Sequence, residues 1–179
     1  RESMIIVNAH RVNRGEFPDL RRPQGRKVDF YFVERDDPEE VLGVIKELCA
    51  DRLSRAFHLD PLDDIQVMTP MHRGVVGVAN LNAELQRLLN PRGQEIAQGG
   101  RLFRVNDKVM QTSNNYEKEV FNGDIGRIAA IDVEEKNISV RFEDRVADYE
   151  WSELDELVLA YAISVHKSQG SEYPAMVVP

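Results

Sequence analysis

Near residue 100 the spacing of apolar residues changes, and near residue 159 it changes back. A chain that switches period twice cannot be one regular layer of structure, so this constrains the fold more than any single motif does. Before the first switch, residues 37–40 (Asp-Pro-Glu-Glu) have the form of a capping box with proline at the first helical position. Val41, Leu42, Ile45, Leu48, Cys49, Leu53, Ala56 and Phe57 then recur at helical spacing, which predicts one long amphipathic helix. Residues 65–69 form a short apolar stretch ending at Pro70 and read as a strand. Val78, Leu81, Leu85, Leu88 and Leu89 mark a second amphipathic helix closed by Asn90-Pro91. Alternating strands and helices imply an α/β fold with a parallel sheet, whose ligands gather at the carboxyl ends of the strands. That places chemistry at residues 70–74.

After the glycine-rich residues 93–100 come short strand-like segments at 108–112, 124–133, 138–142 and 146–151, separated by Asn122-Gly123 and residues 134–137. Consecutive short strands with tight turns predict a small antiparallel barrel. From about Leu159 the apolar-then-loop pattern of the first part returns, so the barrel reads as an insertion. The expected domains are 1–100 and 159–179 for the α/β part and 101–158 for the insert. Ahead of all this, residues 3–13 read as a helix with Ile5, Ile6, Ala9 and Val12 on one side, stopped by Gly15 and Pro18. A Pro/Gly/Arg-rich connector spans 18–27, and residues 28–33, rich in aromatic and β-branched types, read as a strand.

Composition narrows the function classes. At 179 residues, 42% hydrophobic and 30% charged, the chain has the make-up of an ordinary globular protein with a real core. No apolar run is long enough to span a bilayer and no leader opens the chain, so the expectation is a cytoplasmic protein with no membrane association. Cys49 is the only cysteine, which rules out an intrachain disulfide and suits a small buried residue. The four histidines are scattered without partners at ligand spacing, so no structural zinc site is expected. The net charge of -8 is uneven: residues 101–158 hold eight Lys/Arg against fourteen Asp/Glu, whereas residues 10–27 hold six Lys/Arg against two acids. Acidity concentrated in the insert would repel a phosphate backbone unless its basic groups share one face.

The loop after Tyr161 carries the richest chemistry: Ser164, His166, Lys167, Ser168 and Gln169 supply donors, Gly170 allows close backbone approach, and Glu172 offers an acceptor suited to a ribose hydroxyl. Here His-Lys-Ser-Gln-Gly-Ser-Glu-Tyr (166–173) resembles motif V of superfamily 1 helicases in the form found in RecD-like proteins, the exodeoxyribonuclease V alpha chain family. Further blocks resemble that family in the same order: Asn-Ala-His-Arg-Val-Asn-Arg-Gly-Glu-Phe-Pro (8–18), Val-Met-Thr-Pro-Met-His-Arg-Gly (67–74), Leu81-Asn82 with Leu-Asn-Pro (89–91), and Asn-Asp-Lys-Val-Met-Gln-Thr (106–112) with Phe-Asn-Gly-Asp (121–124). Each alone is a weak pattern; five in order are a strong one.

The resemblance implies a second RecA-like motor domain (2A) interrupted by an SH3-like barrel (2B), from the C-terminal motor region of a superfamily 1B, ATP-dependent, 5′ to 3′ DNA helicase. By the same resemblance, Gly170 and Glu172 would serve ATP, and Ser164, His166 and Lys167 would meet single-stranded DNA. Thr69, His72 and Arg73 fit motif IV at the ligand edge, as DNA contacts. Lys108, Asn114, Asn115, Tyr116 and Asn122 resemble the family's barrel signature; Tyr116 is placed to stack on a base, whereas Phe142 and Trp151 read as barrel core. Asn8, His10, Arg11 and Asn13 read as structural. ATP and Mg²⁺ would bind only with the first motor domain, since Gly-Arg-Lys (25–27) completes no phosphate-loop pattern. That domain would be the obligate partner, and nuclease-helicase subunits would be others. Two alternatives stay open: the helicase part of a conjugative relaxase, and a non-catalytic nucleic-acid or protein-binding module built on the barrel.

Overall fold

The computed structural model describes residues 3–21 and 28–179, which divide after Asp36 into two compact units. In the first, Ser3 caps helix α1 (Met4–Asn13) by accepting from the Ile6 amide, and Gly15, at φ +75°, lets the chain turn away after it. The side chain of Asn8, 3% exposed, accepts from the Asp19 amide and donates to the Asp19 carbonyl, pinning the returning chain to the helix. Arg11 Nε donates to the Phe17 carbonyl at 2.7 Å, so this family-like block does structural work, as expected. Most of the connector, residues 22–27, lies outside the described residues. The expected strand at 28–33 does not form: the described residues 28–36 belong to no sheet. Aromatic and β-branched content favours a strand only where a ladder partner is present. Instead Asp29 takes the Ser3 hydroxyl and the Met4 amide at the start of α1.

The second unit opens with Asp37 capping α2 (Pro38–Glu47) through the Glu39 amide. The predicted long helix is interrupted: a π turn over Leu48–Arg52 separates α2 from α3 (Leu53–Phe57), and His58, in the left-handed region, ends it. Cys49 sits in that π turn, buried and free. Strand β1 (Ile65–Thr69) is buried along its whole length. Helix α4 (Val78–Leu89) follows, held to α2 by the Lys46–Glu84 ion pair at 2.7 Å.

The glycine-rich segment is a hairpin rather than mere punctuation. Strands β2 (Glu95–Gln98) and β3 (Arg101–Arg104) pair antiparallel across Gly99 and Gly100, both at positive φ, as a two-residue hairpin turn requires. Next come β4 (Lys108–Gln111), β5 (Ile125–Asp132), β6 (Asn137–Arg141) and β7 (Val146–Glu150), close to their predicted bounds. A 3₁₀ turn (Trp151–Glu156) leads to β8 (Leu157–Leu159), which returns to pair with β4. The antiparallel sheet therefore runs β7-β6-β5-β4-β8. Alternate residues of β5, β6 and β7 turn inward to a core with Phe103, Val120, Phe142, Tyr149 and Leu157, and Trp151 packs on its margin. Phe142 is thus the core residue expected.

The chain then enters β9 (Ala162–Ser164) and, after a 3₁₀ turn (Val165–Ser168), β10 (Ala175–Val177). Both lie parallel to β1 in a sheet ordered β10-β1-β9. Its parallel partners thus come from the end of the chain and not from residues 28–33. Ile65 and Val67 face a core with Leu42, Ile45, Leu81 and Leu85 of the helices, while Met68 packs with Met110, Ala160 and Ile163 toward the antiparallel sheet. A polar node joins the same two layers. The fully buried Asp107 accepts from Gln86 and the Arg104 amide on one oxygen, at 2.6 Å each, and from Asn90 and the Tyr161 hydroxyl on the other, at 2.7 Å each.

Candidate nucleic-acid and nucleotide edge

The parallel register sets Thr69 beside Ser164, so β1 and β9 end together and each passes into a loop carrying a predicted site block. This is the carboxyl edge at which α/β sheets collect ligands. The two loops differ in how they are held.

Thr69 is fully buried, and its hydroxyl donates to the Val76 carbonyl at 2.9 Å while accepting from the Met71 amide at 3.2 Å. It therefore clasps the 70–77 loop shut. The Val78 amide donates to the Met71 carbonyl, and Asn80 reaches back to the Val75 carbonyl, at 2.9 and 2.7 Å. Gly77 is required for closure: a Cβ there would stand 2.6 Å from the Arg73 backbone. The clasp leaves His72 and Arg73 exposed at the loop's crest.

Ser164, 9% exposed, ends β9 and opens the 3₁₀ turn. Asn82 of α4 holds the strand from behind, pairing with both the amide and the carbonyl of Ala162 at 3.0 and 2.7 Å. Beyond it, His166 and Lys167 are exposed, the Ser168 hydroxyl donates to the Val165 carbonyl at 2.7 Å, and the Ser171 amide donates to the Ser168 carbonyl. Gly170 has φ +82° with open space around its Cβ position, and Glu172 is exposed two residues on. Tyr173 packs on the core around Met68 and Ile163, anchoring the end of the turn. Lys167 Nζ donates to Asn122 Oδ1 at 2.6 Å, which ties this turn to the one between β4 and β5. The direction of Lys167 is not legible in the sequence, because pattern alone does not show which distant turn a side chain meets.

One buried cluster and one buried lysine stand out beyond what the sequence pattern shows. The Gln86, Asn90, Asp107 and Tyr161 node has no periodic signature because its members come from three parts of the chain. Burial, and then Asp107, push the Tyr161 hydroxyl well above the usual tyrosine range. Lys108 was noted only as part of a family-like block, yet it is 4% exposed, donates to the Ile65 carbonyl at 3.2 Å, and is held down to about 8 by burial. Tyr116, in contrast, is 76% exposed and meets Phe121 edge-on with ring centres 5.9 Å apart. An open concavity of about 610 Å³ belongs to the first unit, lined by Arg11, Phe17, Asp19 and Arg21 among others, and includes none of the edge residues. Among the described residues, no group of three or more His, Cys, Asp or Glu stands close enough to hold a metal ion, and no helix is long and apolar enough to cross a membrane.

Comparison with known proteins follows the same outline. Residues 81–142 match the family described as the SH3 domain of ATP-dependent RecD-like DNA helicases. The chain is 41% identical over 111 residues to the ATP-dependent RecD2 DNA helicase of Deinococcus radiodurans, covering 61% of this chain and 15% of that protein. It is 27% identical over 150 residues to the RecBCD enzyme subunit RecD of Mycolicibacterium smegmatis, covering 80% of this chain and 26% of that subunit. The chain thus spans about a quarter or less of the length of these relatives. In fold it resembles the crystal structure of Bacteroides Pif1 helicase in complex with ADP-AlF3 and single-stranded DNA, with a TM-score of 0.55 and 16% identity over 99% of this chain and 43% of that one. Motif order, sheet arrangement and these likenesses point the same way: the chain is similar to RecD-like DNA helicases, and its residues 81–142 match the SH3 domain of that family.

Proposed function

We propose that this chain provides the 2A motor domain (residues 1–100 and 159–179) and its inserted SH3-like 2B barrel (residues 101–158) in an ATP-dependent, 5′ to 3′ DNA helicase of recombination and repair. Single-stranded DNA is its track and the first RecA-like domain its partner in the ATP site. Nuclease-helicase subunits are further partners in this reading, and the cytoplasm its compartment. The observation that carries the proposal is the pairing of Thr69 with Ser164, which sets two helicase-like blocks at one carboxyl edge although 94 residues separate them in the chain.

Each edge residue has a task suited to its surroundings. His72, Arg73 and His166 are exposed donors for phosphate or sugar oxygens, and Ser164 adds a hydroxyl at the mouth of the turn. Thr69 acts from beneath, holding the loop that presents His72 and Arg73. The open, positive-φ Gly170 and exposed Glu172 fit a nucleotide: the glycine leaves room for close approach, and the carboxylate can accept from a ribose hydroxyl. ATP supplies the free energy that opens and closes the cleft between two motor domains. This chain's residues bind and orient; magnesium ligands and the phosphate loop are assigned to the partner domain.

The test separates the ligands. Binding of a labelled oligo(dT) to the 179-residue chain should weaken at least fivefold in Arg73→Ala and in His166→Ala. In a helicase carrying both motor domains, Glu172→Gln should raise KM for ATP with kcat little changed, because a ribose contact is the same in ground and transition states. Full ATPase and unwinding in both Glu172→Gln and His166→Ala would overturn the assignment.

A further inference from the structure

We infer that Lys167 is a positioning residue, which fixes the 165–170 turn against the antiparallel sheet rather than neutralising a phosphate of the bound strand. This rests on reading that turn as a strand-contacting loop. Among the described residues, the Lys167–Asn122 contact is the one side-chain hydrogen bond that joins residues 165–172 to another element. The turn's remaining bonds are internal, from the Ser168 hydroxyl to the Val165 carbonyl and from the Ser171 amide to the Ser168 carbonyl. With Gly170 at φ +82° and in open space, little else restrains the segment between Ser164 and Tyr173.

The acceptor, by contrast, is firmly mounted. The Asn122 amide donates to Asn114 Oδ1 at 3.0 Å, and the Gly123 amide donates to the Gln111 carbonyl at 2.9 Å. The Asp124 amide donates to the Phe121 carbonyl, while Asp124 Oδ2 accepts from the Phe121 amide, at 3.0 and 2.9 Å. These bonds close the 121–124 turn on itself and hold it to Gln111 of β4 and to Asn114, so the backbone that carries Asn122 is fixed. A surface lysine gives up considerable rotamer freedom to settle on a single neutral acceptor. What that order provides here is a defined position for the neighbouring His166 and Gly170. The antiparallel sheet thereby sets the geometry of an edge that belongs to the parallel sheet.

The experiment uses the 179-residue chain, with amide hydrogen exchange of residues 165–171 and oligo(dT) binding across a salt series. Lys167→Ala and Asn122→Ala should each speed exchange in the turn to a similar extent. Each should weaken oligo(dT) binding about fivefold, with an unchanged dependence of log Kd on log salt, and the double variant should be no weaker than either alone. Lys167→Arg, which keeps a donor, should restore protection. A phosphate contact predicts otherwise: Lys167→Ala would flatten the salt slope by about 0.7 while Asn122→Ala left affinity unchanged or tighter. That result, or unchanged exchange in both alanine variants, overturns the inference. If the wild-type chain binds no oligo(dT), the functional reading fails, and the exchange measurements still decide the role of Lys167.

Discussion

Lys108 shows how a single side chain sets the pH response of the molecule. Its ammonium is almost wholly buried, with the Ile65 carbonyl as acceptor, and burial brings its pKa to about 8 against an ordinary 10.5. A folded-state value below the unfolded one means that the charged lysine costs stability, in full, at pH values below about 8. As pH rises past 8 the folded protein releases that proton before the unfolded chain does, and stability climbs. Cys49 acts in the opposite sense: burial pushes its thiol up to about 12 from 9.0, so the unfolded chain ionises first and stability falls above pH 9. Tyr149 and Tyr161, both raised by burial, add to that fall above the ordinary tyrosine range near 10. The lysine's contribution is therefore visible between pH 8 and 9, as a rise of about 1 kcal/mol. Lys108→Met should abolish the rise, keep the alkaline fall and increase stability at pH 7, as read by urea unfolding at pH 7, 8, 9 and 10. A rise that persists in Lys108→Met would show that another group titrates.

Among the elements, the 70–77 loop is the one whose shape depends most on a single atom. The Thr69 clasp and the Met71–Val78 bond bring the chain so close to itself that Gly77 has no room for a side chain. Gly77→Ala must push the backbone at Arg73 outward, since the clash is with backbone and not with a flexible tip. The expected cost is roughly 1–3 kcal/mol, with weaker oligo(dT) binding as Arg73 shifts. Gly43→Ala, in the exposed interior of α2 where nothing lies within 4 Å, is the contrasting control: it should raise stability by roughly 0.5–1 kcal/mol and leave binding unchanged. Differential scanning calorimetry and the binding assay check the pair.

The same elements show what a linear reading can reach. β1, α4 and four of the five strands of the antiparallel sheet, β4 to β7, were legible because each carries its own period and its own turn signals. β8, β9 and β10 are three residues each, too short for any period, and their pairing with β4 and β1 is decided by partners far away in the chain. Residues 28–33 had the strand composition without the partner. In the candidate site, the blocks could be read from residue type, as could the tight turn at Gly170. That Thr69 turns its hydroxyl inward and Lys167 turns toward Asn122 depends on atoms contributed by other loops.

At the scale of the whole second unit, the question is whether the two sheets are separate bodies. Their shared contacts say otherwise: Met68 and Ile163 of the parallel sheet share a core with Met110 of the antiparallel one, and Asp107 binds donors from α4 and its C-cap Asn90, from β3 and from Tyr161 just before β9 at once. A buried acceptor with four donors is stabilising only while all of them are in place, so the node fails as a unit. Asp107→Ala leaves Gln86, Asn90, the Arg104 amide and the Tyr161 hydroxyl without their common acceptor and should cost about 3–5 kcal/mol. Tyr161→Phe removes one donor alone and should cost about 1 kcal/mol. Because the node spans both layers, each loss must lower the whole unit together. Trp151 fluorescence reports the antiparallel sheet's margin, and far-ultraviolet circular dichroism reports α2 and α4. Both probes should show one coincident transition in the wild type and in Tyr161→Phe. Separate midpoints in the wild type would mean that the antiparallel sheet is independently stable, and the edge at Ser164 would then lose its claim to be set by both sheets.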